Sequence, residues 1–416
     1  MVFLYDIFIF LYRIAINIAA AFGNQKAKQW IDGRKNVFNR ISELPRLTVG
    51  QGIQDSKLIW FHCSSLGEFE QARPVMENLK SQIPNCKLVL TFFSPSGYEI
   101  RKNYSGADYI FYLPVDTRKN AERFIKLVKP TAAYFVKYEY WHHYFNALKE
   151  KKIPLYIVSA IFRDDQVFFR WYGKFFRNIL KCVTHFFVQD ESSLKKINSL
   201  GFANATVAGD TRFDRVVQIA ESRKEIPLVE KFCTGSKVIV AGSTWQDDEV
   251  ILSRIKNQES RFRFVIAPHE ISETRISEAE KIFSGKKILR YSKATEQIIS
   301  DADVLIIDSI GMLSSLYYYG WITYVGGGFG KGIHNILEAA VYGMPVFFGP
   351  NYQKANEAKA LIEKGGAFSI TNSVELQNQL EKFLNDSSVY SSSCEASRKF
   401  VSFNTGATEK IIQLTN

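Results

Sequence analysis

The chain has 416 residues, 46% hydrophobic and 23% charged, ordinary globular values that exclude disordered and fibrous classes and suit two or three domains. Lys and Arg exceed Asp and Glu by 53 − 42 = +11, which favours an anionic partner (nucleic acid, anionic lipid or phosphorylated substrate) without choosing among them. Cys63, Cys86, Cys182, Cys233 and Cys394 are scattered, with no CxxC or Cys/His cluster. That disfavours a disulfide framework or structural zinc and fits a reducing cytoplasmic setting.

The first element is Val2 to Phe22, VFLYDIFIFLYRIAINIAAAF. As a helix it would be roughly 30 Å long, about one hydrocarbon core. Asp6 and Arg13 fall seven apart, on one helical face, so a span would be marginal and a helix lying in the interface is the alternative. Lys26, Lys28, Arg34, Lys35 and Arg40 follow at once and keep the rest of the chain cytoplasmic by the positive-inside rule. An uncleaved membrane anchor is favoured over a buried core helix. A signal peptide is disfavoured, since no Lys or Arg precedes the apolar run.

From residue 57 short apolar runs alternate with amphipathic stretches. Strands are expected at Lys57–Cys63, Lys87–Phe93, Tyr109–Val115, Ala132–Tyr138, Leu155–Ala160, His185–Gln189 and Thr206–Gly209. After the polar stretch Arg215–Ser236 the rhythm restarts, with strands at Val238–Ala241, Phe262–Ala267, Lys287–Tyr291, Val304–Ile307, Ile322–Val325, Val346–Phe348 and Ala367–Ile370. The runs lack clean alternation, so both faces of each strand should be buried. This is the βαβ pattern of two parallel α/β halves, with a cleft expected between them and ligands at the carboxyl ends of strands. The tail from about Tyr390 reads as helix and is expected to pack back on the first half.

The first chemical cluster ends the first strand: His62-Cys63-Ser64-Ser65-Leu66-Gly67-Glu68. Glu68 falls in the first turn of the next helix, where the dipole favours a carboxylate. Two readings stay open: a general base, or a plain capping box, since Ser65 and Glu68 have the S-x-x-E spacing. The second cluster is Gly326-Gly327-Gly328-Phe329-Gly330-Lys331-Gly332, then a helix. A backbone nest before a helix suits phosphate. It matches neither the P-loop nor GxGxxG, which disfavours ATPase and dinucleotide readings; the bland alternative is a tight turn. Asn335 and Glu338, three apart on the expected helix, are placed to meet ribose hydroxyls. Gly242-Ser243-Thr244, Pro268-His269 and Asp308-Ser309-Ile310-Gly311 end three further strands and should converge with the glycine loop on one edge.

Metal signals are weak: Asp301-x-Asp303 precedes its strand, and His142 and His143 should point apart. Phe162–Cys182, read as one helix, carries an aromatic stripe (Phe168, Trp171, Tyr172, Phe175, Phe176) beside a basic one (Arg170, Lys174, Arg177, Lys181). Either an anionic-lipid surface or a core helix with a solvated basic face would explain it. Nucleic-acid binding is disfavoured, since no matching motif accompanies it.

In this order the segments WFHCSSLGE (Trp60–Glu68), TFFSPSGYE (Thr91–Glu99), YLPVDT (Tyr112–Thr117), KYEYW (Lys137–Trp141), GDTRFD (Gly209–Asp214), GSTW, APHE and GGGFGKGIHNILEAAVYGMPVFFGP (Gly326–Pro350) resemble the 3-deoxy-D-manno-octulosonic acid (Kdo) transferase family of lipopolysaccharide synthesis. The resemblance implies a GT-B fold, two Rossmann-like domains facing a central cleft, with an N-terminal membrane-anchor helix. Its expected parts are an anchor over 1–24, an acceptor domain over 25–215, a donor domain over 216–389 and a returning helix over 390–416. It implies CMP-Kdo as donor, with no cofactor and no metal. The implied acceptor is the phosphorylated, acylated lipid A precursor at the cytoplasmic face of the bacterial inner membrane, with inner-membrane lipids but no nucleic acid as partners. Glu68 would be the base of an inverting transfer. Ser65, Gly67, Glu139 and Arg163 would line the acceptor side. Ser243, Thr244, Pro268, His269, Asp308, Ser309, Gly311, Gly327, Gly328, Gly330, Asn335 and Glu338 would hold the donor. The chain departs from the family where Ala267-Pro268-His269 replaces Pro-Arg-His, where Met312 replaces Glu after Gly311, and where Ser159-Ala160-Ile161 replaces Asn-Ala-Arg, with Arg163 two positions on as the substitute. The same fold with a UDP-sugar donor, or a non-enzymatic anionic-lipid module, are the competing readings.

Overall fold

The computed structural model describes residues 1–44, 57–255 and 262–415. The chain forms two compact units. One comprises Met1–Arg215 and the segment from Thr405 onward, the other Val216–Asn404.

The first unit holds seven parallel strands: β1 (Leu58–Cys63), β2 (Lys87–Phe92), β3 (Tyr109–Tyr112), β4 (Ala132–Val136), β5 (Leu155–Ala160), β6 (His185–Val188) and β7 (Ala205–Val207), in the order β3-β2-β1-β4-β5-β6-β7. All six residues of β1 are buried. Its side chains divide by parity, Leu58 and Trp60 into one core cluster and Ile59, Phe61 and Cys63 into another. A two-residue period with apolar residues on both faces needs cover on both sides, and the crossover helices give it. The chain leaves β1 toward β2 on one side and reaches β4 on the other, so the switch of direction falls between β1 and β4.

The second unit repeats the plan with β8 (Lys237–Thr244), β9 (Phe262–Pro268), β10 (Ile288–Arg290), β11 (Val304–Ile306), β12 (Ile322–Val325), β13 (Val346–Phe348) and β14 (Ala367–Ser369), ordered β10-β11-β9-β8-β12-β13-β14 and all parallel. Here the switch falls between β8 and β12. Each of the fourteen expected strands forms, most of them within two residues of the sequence reading. Long apolar runs bounded by turn residues leave little freedom.

The tail divides between the units. The helix Ser387–Phe403 belongs to the second, because Tyr390 donates to the Trp321 carbonyl at 2.8 Å and Ser393 and Ser397 donate to the carbonyls of Gly365 and Gly366. Only the helix Ala407–Thr415 joins the first, where Ile411 and Ile412 enter the core. Asp214 caps that helix, accepting the Gly406 and Thr408 amides at 2.6 and 2.7 Å.

Two local expectations change. Phe162–Cys182 is not one helix: a 3₁₀ turn at Val167–Phe169 and the helix Lys174–Leu180 are separated at Gly173. A Cβ there would sit 2.1 Å from the Val167 carbonyl oxygen, a tight corner that only glycine fits. The aromatic stripe therefore splits. Phe168 and Phe175 enter the core while Trp171 is 91% exposed, and Arg177 turns inward to the carbonyls of Phe168 and Arg170. His142 and His143 do not point apart; their rings meet edge to face at 4.9 Å beside Tyr5.

Val2–Ala21 is one 20-residue helix, long and apolar enough to cross a membrane. Its inner stripe of Tyr5, Ile9, Tyr12 and Ala20 rests on the first unit. Tyr5 donates to Asp116, Asp6 meets His143 Nε2 at 2.6 Å, and Tyr12 packs on Trp30 and Phe93. Phe3, Leu4, Phe8, Phe10, Leu11 and Ile14 face outward.

Candidate active site

In a parallel α/β sheet, loops from neighbouring strands part at the switch point and leave room for a ligand at the carboxyl edge. In the first unit that place is built from Cys63–Glu68 after β1 and Lys137–Trp141 after β4. Ser65 is the N-cap of the helix Leu66–Gln82, yet its side chain makes no capping bond. Glu68 reaches back instead and accepts the Ser64 amide, so only half of a capping box exists. Gly67 is exposed, and a Cβ there would meet nothing within 4 Å.

Burial first and the nearby Glu139 carboxylate second push the Glu68 acid up to about 8, against the lowering by Lys137 and the Ser64 and Ser65 amides. Glu139 accepts the Trp141 indole at 2.9 Å, and its Oε2 lies 3.4 Å from His62 Nε2. Lys137, the residue after β4, holds φ at 56°, a strained left-handed conformation of the kind that gathers at functional sites. Arg163 reaches this edge through Tyr138, donating to its hydroxyl at 3.0 Å.

In the second unit the switch point carries Ser243-Thr244 at the end of β8 and the glycine loop after β12. Ser243 is again left-handed, at φ 52°. The two loops touch so closely that a Cβ on Gly326 would lie 2.3 Å from the Ser243 carbonyl oxygen. Asp248 joins them. Its buried carboxylate accepts the Trp245 amide at 2.9 Å, the Gly327 amide at 2.9 Å and the Tyr324 hydroxyl at 2.8 Å. Thr244 is fully buried and donates to Glu249 at 2.7 Å, so its hydroxyl belongs to the floor of the loop. Glu249 in turn meets the buried Arg275.

Above the loops Trp245, His269 and His334 stack, with His269 and His334 centroids 4.3 Å apart. Burial, with His269 second, lowers His334 to about 4, so its neutral ring accepts the Trp245 indole hydrogen.

Ser243 lies at the end of β8, and the loops of His269, Asp308 and the glycines follow β9, β11 and β12. These are four adjacent parallel strands, so all lie on one edge. They are not equally placed. Asp308, after β11, binds the amide and hydroxyl of Ser292, and the Ser309 hydroxyl donates to Met312 Sδ. The nest is partly spent on itself, since the Gly330 and Gly332 amides bond the Gly327 carbonyl. The helix after it is a single turn, Leu337–Ala340, so Asn335 lies in the preceding loop. Asn335 and Glu338 still meet, at 3.0 Å. Among the described residues no three His, Cys, Asp or Glu side chains converge as metal ligands.

Sequence reasoning quoted His62, Lys137 and Trp141 within their motifs without giving them a role, and passed over Asp248. Asp248 left a trace, sitting three residues after Trp245 at the start of an acidic helix. The others owe their roles to strand register, which no local pattern displays.

Two Rossmann-like sheets, each with its polar loops at the switch point, define the GT-B class. The solved UDP-GlcNAc 2-epimerase of Neisseria meningitidis, bound to UDP-GlcNAc, shares this fold with a TM-score of 0.63 at 16% identity, over 87% of this chain and 100% of that one. Residues 35–215 match the family model "3-Deoxy-D-manno-octulosonic-acid transferase (kdotransferase)". The chain is similar to the 3-deoxy-D-manno-octulosonic acid transferase of Aquifex aeolicus, 30% identical over 78% of this chain and 86% of that protein. It is likewise similar to that of Rickettsia bellii, 29% identical over 91% and 92%. The chain belongs to the Kdo transferase family, glycosyltransferases of lipopolysaccharide biosynthesis.

Proposed function

We propose that the protein moves Kdo from CMP-Kdo to the lipid A precursor with inversion, at the cytoplasmic face of the inner membrane. The observation that carries this reading is Glu68, a half-buried carboxylate at the switch point whose affinity for a proton is raised. Ionised, it takes the proton of the acceptor hydroxyl. The hydroxyl oxygen then bonds to the anomeric carbon, and the bond to CMP breaks with its electron pair going to the phosphate. Ser65, Gly67, Glu139 and Arg163 are assigned to the acceptor, with Lys137 beside them. Ser243, the backbone at Thr244, His269, the Gly327–Gly330 turn, Asn335 and Glu338 are assigned to the donor. The loop of Asp308, Ser309 and Gly311 borders it. Pro268 starts the turn that presents His269.

A single departing phosphate needs less neutralisation than a diphosphate, and fixed donors can supply it, so no divalent metal is proposed. The helix Val2–Ala21 keeps one stripe on the first unit and turns the other outward. That suits a helix lying in the lipid interface better than a span, in which every side would face hydrocarbon. The acceptor's phosphates and the anionic bilayer account for the +11 charge without nucleic acid.

The test is incubation with CMP-Kdo and a tetraacylated lipid A precursor in chelator, with product mass as readout. The expected product is Kdo joined to the precursor, with CMP released. No product, or stabilisation by UDP but not by CMP in a thermal shift, overturns the assignment.

A further inference from the structure

The second unit holds a cavity of about 310 Å³ that none of the residues assigned to donor or acceptor lines. It is built chiefly by three parts of the chain: the helix Arg212–Glu221 past the point where the chain enters the unit, the turn Val341–Tyr342 after the helix Leu337–Ala340, and the helix Ser387–Phe403 before the chain leaves it. Val217, Ala220, Val341 and Val401 give it an apolar wall.

The polar groups beside that wall are unspent. The Arg223 guanidinium sits over the Tyr318 ring, 3.7 Å from its centre, a contact that satisfies none of its N–H groups. Arg223 Nε and the Tyr342 hydroxyl are buried atoms with no hydrogen-bond partner among the described residues. Burial first pushes the Tyr342 phenol up to about 12, with Arg223 opposing, so the group stays a donor at neutral pH. Arg398 rests against the Gly343 backbone, where a Cβ would lie 3.1 Å from its Nε. Among the described residues no ion pair joins Arg223 or Arg398 to an acid. Buried donors in folded chains find acceptors, so orphaned donors beside a cavity mark where an acceptor belongs.

Charge and size narrow its kind. The charged residues that line the cavity are Glu221, Arg223 and Arg398, one acid against two bases. A singly charged head balances them, which favours a carboxylate over a phosphate. At about 30 Å³ for each water-sized group, the volume takes a chain of about ten carbons.

We propose that this cavity is a binding site for an amphiphilic carboxylate, its head held by Arg223, Arg398 and the Tyr342 hydroxyl and its aliphatic chain laid on the valine wall.

The test is titration calorimetry of the full chain with decanoate below its micelle-forming concentration, beside decylamine, decanol and decyl phosphate. Decanoate should bind saturably with one equivalent, and decylamine should not bind. Arg398→Gln and Tyr342→Phe should each weaken decanoate about tenfold with Tm unchanged, since Arg398 is exposed and the Tyr342 hydroxyl has no partner to lose. Hydrogen exchange should slow at 217–223 and 341–343 when decanoate is added. The outward face of the helix Val2–Ala21 also attracts amphiphiles. Binding that both variants leave intact, or protection confined to 2–21, therefore overturns the site. Absence of saturable binding does the same. Decanol binding as tightly as decanoate, or decyl phosphate binding more tightly, overturns the choice of a carboxylate.

Discussion

A carboxyl group that resists ionisation costs the fold something wherever pH forces it to ionise. Glu68, pushed up to about 8 by burial and by Glu139, binds a proton in the folded chain at pH values where an unfolded glutamate, near 4.3, does not. Stability from this group is therefore lost progressively as pH rises from about 4.3 through about 8. Glu68→Gln should lower kcat by about 10²–10⁴-fold yet raise Tm, with the gain absent at pH 4 and largest above pH 8, as calorimetry across pH would record. A variant that loses activity and is no more stable at pH 9 would contradict the burial argument. Asp248 predicts the opposite pattern. Asp248→Ala leaves the Gly327 and Trp245 amides without their acceptor, so about 2–3 kcal/mol of stability should go, together with stabilisation by CMP in a thermal shift. The sequence marked Glu68 by its place after an apolar strand and a small polar turn. Asp248 looked like an ordinary acidic residue in a first helical turn, because its partners Gly327 and Tyr324 come from β12 and its loop.

At the scale of single elements the N-terminal helix shows what composition can and cannot say. The run of apolar residues fixes a helix and its length. Asp6, a charge that makes a span marginal, is explained by His143, its partner at 2.6 Å. Phe3, Phe10 and Ile14 face outward on one side. Replacing all three with Ser should weaken binding to anionic vesicles at least about a hundredfold in a flotation assay, while Tm stays unchanged, since their apolar area is not in the folded core. A fall in Tm would mean that this face packs on protein. The segment Phe162–Cys182 failed as a single helix for a comparable reason. Helical periodicity can be read into any aromatic-rich stretch, and it took the closeness of Gly173 to the Val167 carbonyl to break it.

For the whole molecule, two units of the same plan are stitched by a chain that crosses at Arg215 and returns at Thr405. Truncation after Asn404 removes the buried Ile411 and Ile412 and leaves Asp214 without the amides it caps. The first unit should lose about 3 kcal/mol or more, while stabilisation of the second unit by CMP persists. Calorimetry with and without CMP separates the two effects, and equal loss in both units would refute the assignment of this helix to the first.

Strand number, the parallel class, the restart of the strand rhythm after the polar stretch Arg215–Ser236 and the loops that carry Glu68 and the glycines were all legible in the chain. They depend on local hydrophobic runs and turn residues, whose physics is short-ranged. Strand order was not legible, and with it went the pairing of β1 with β4 and of β8 with β12. Those pairings put His62, Glu139 and Trp141 behind Glu68 and tie Asp248 to Gly327. Hydrogen bonds between residues tens of positions apart exist only once long-range packing has chosen which strands are neighbours, and that choice is made by the two cores as wholes.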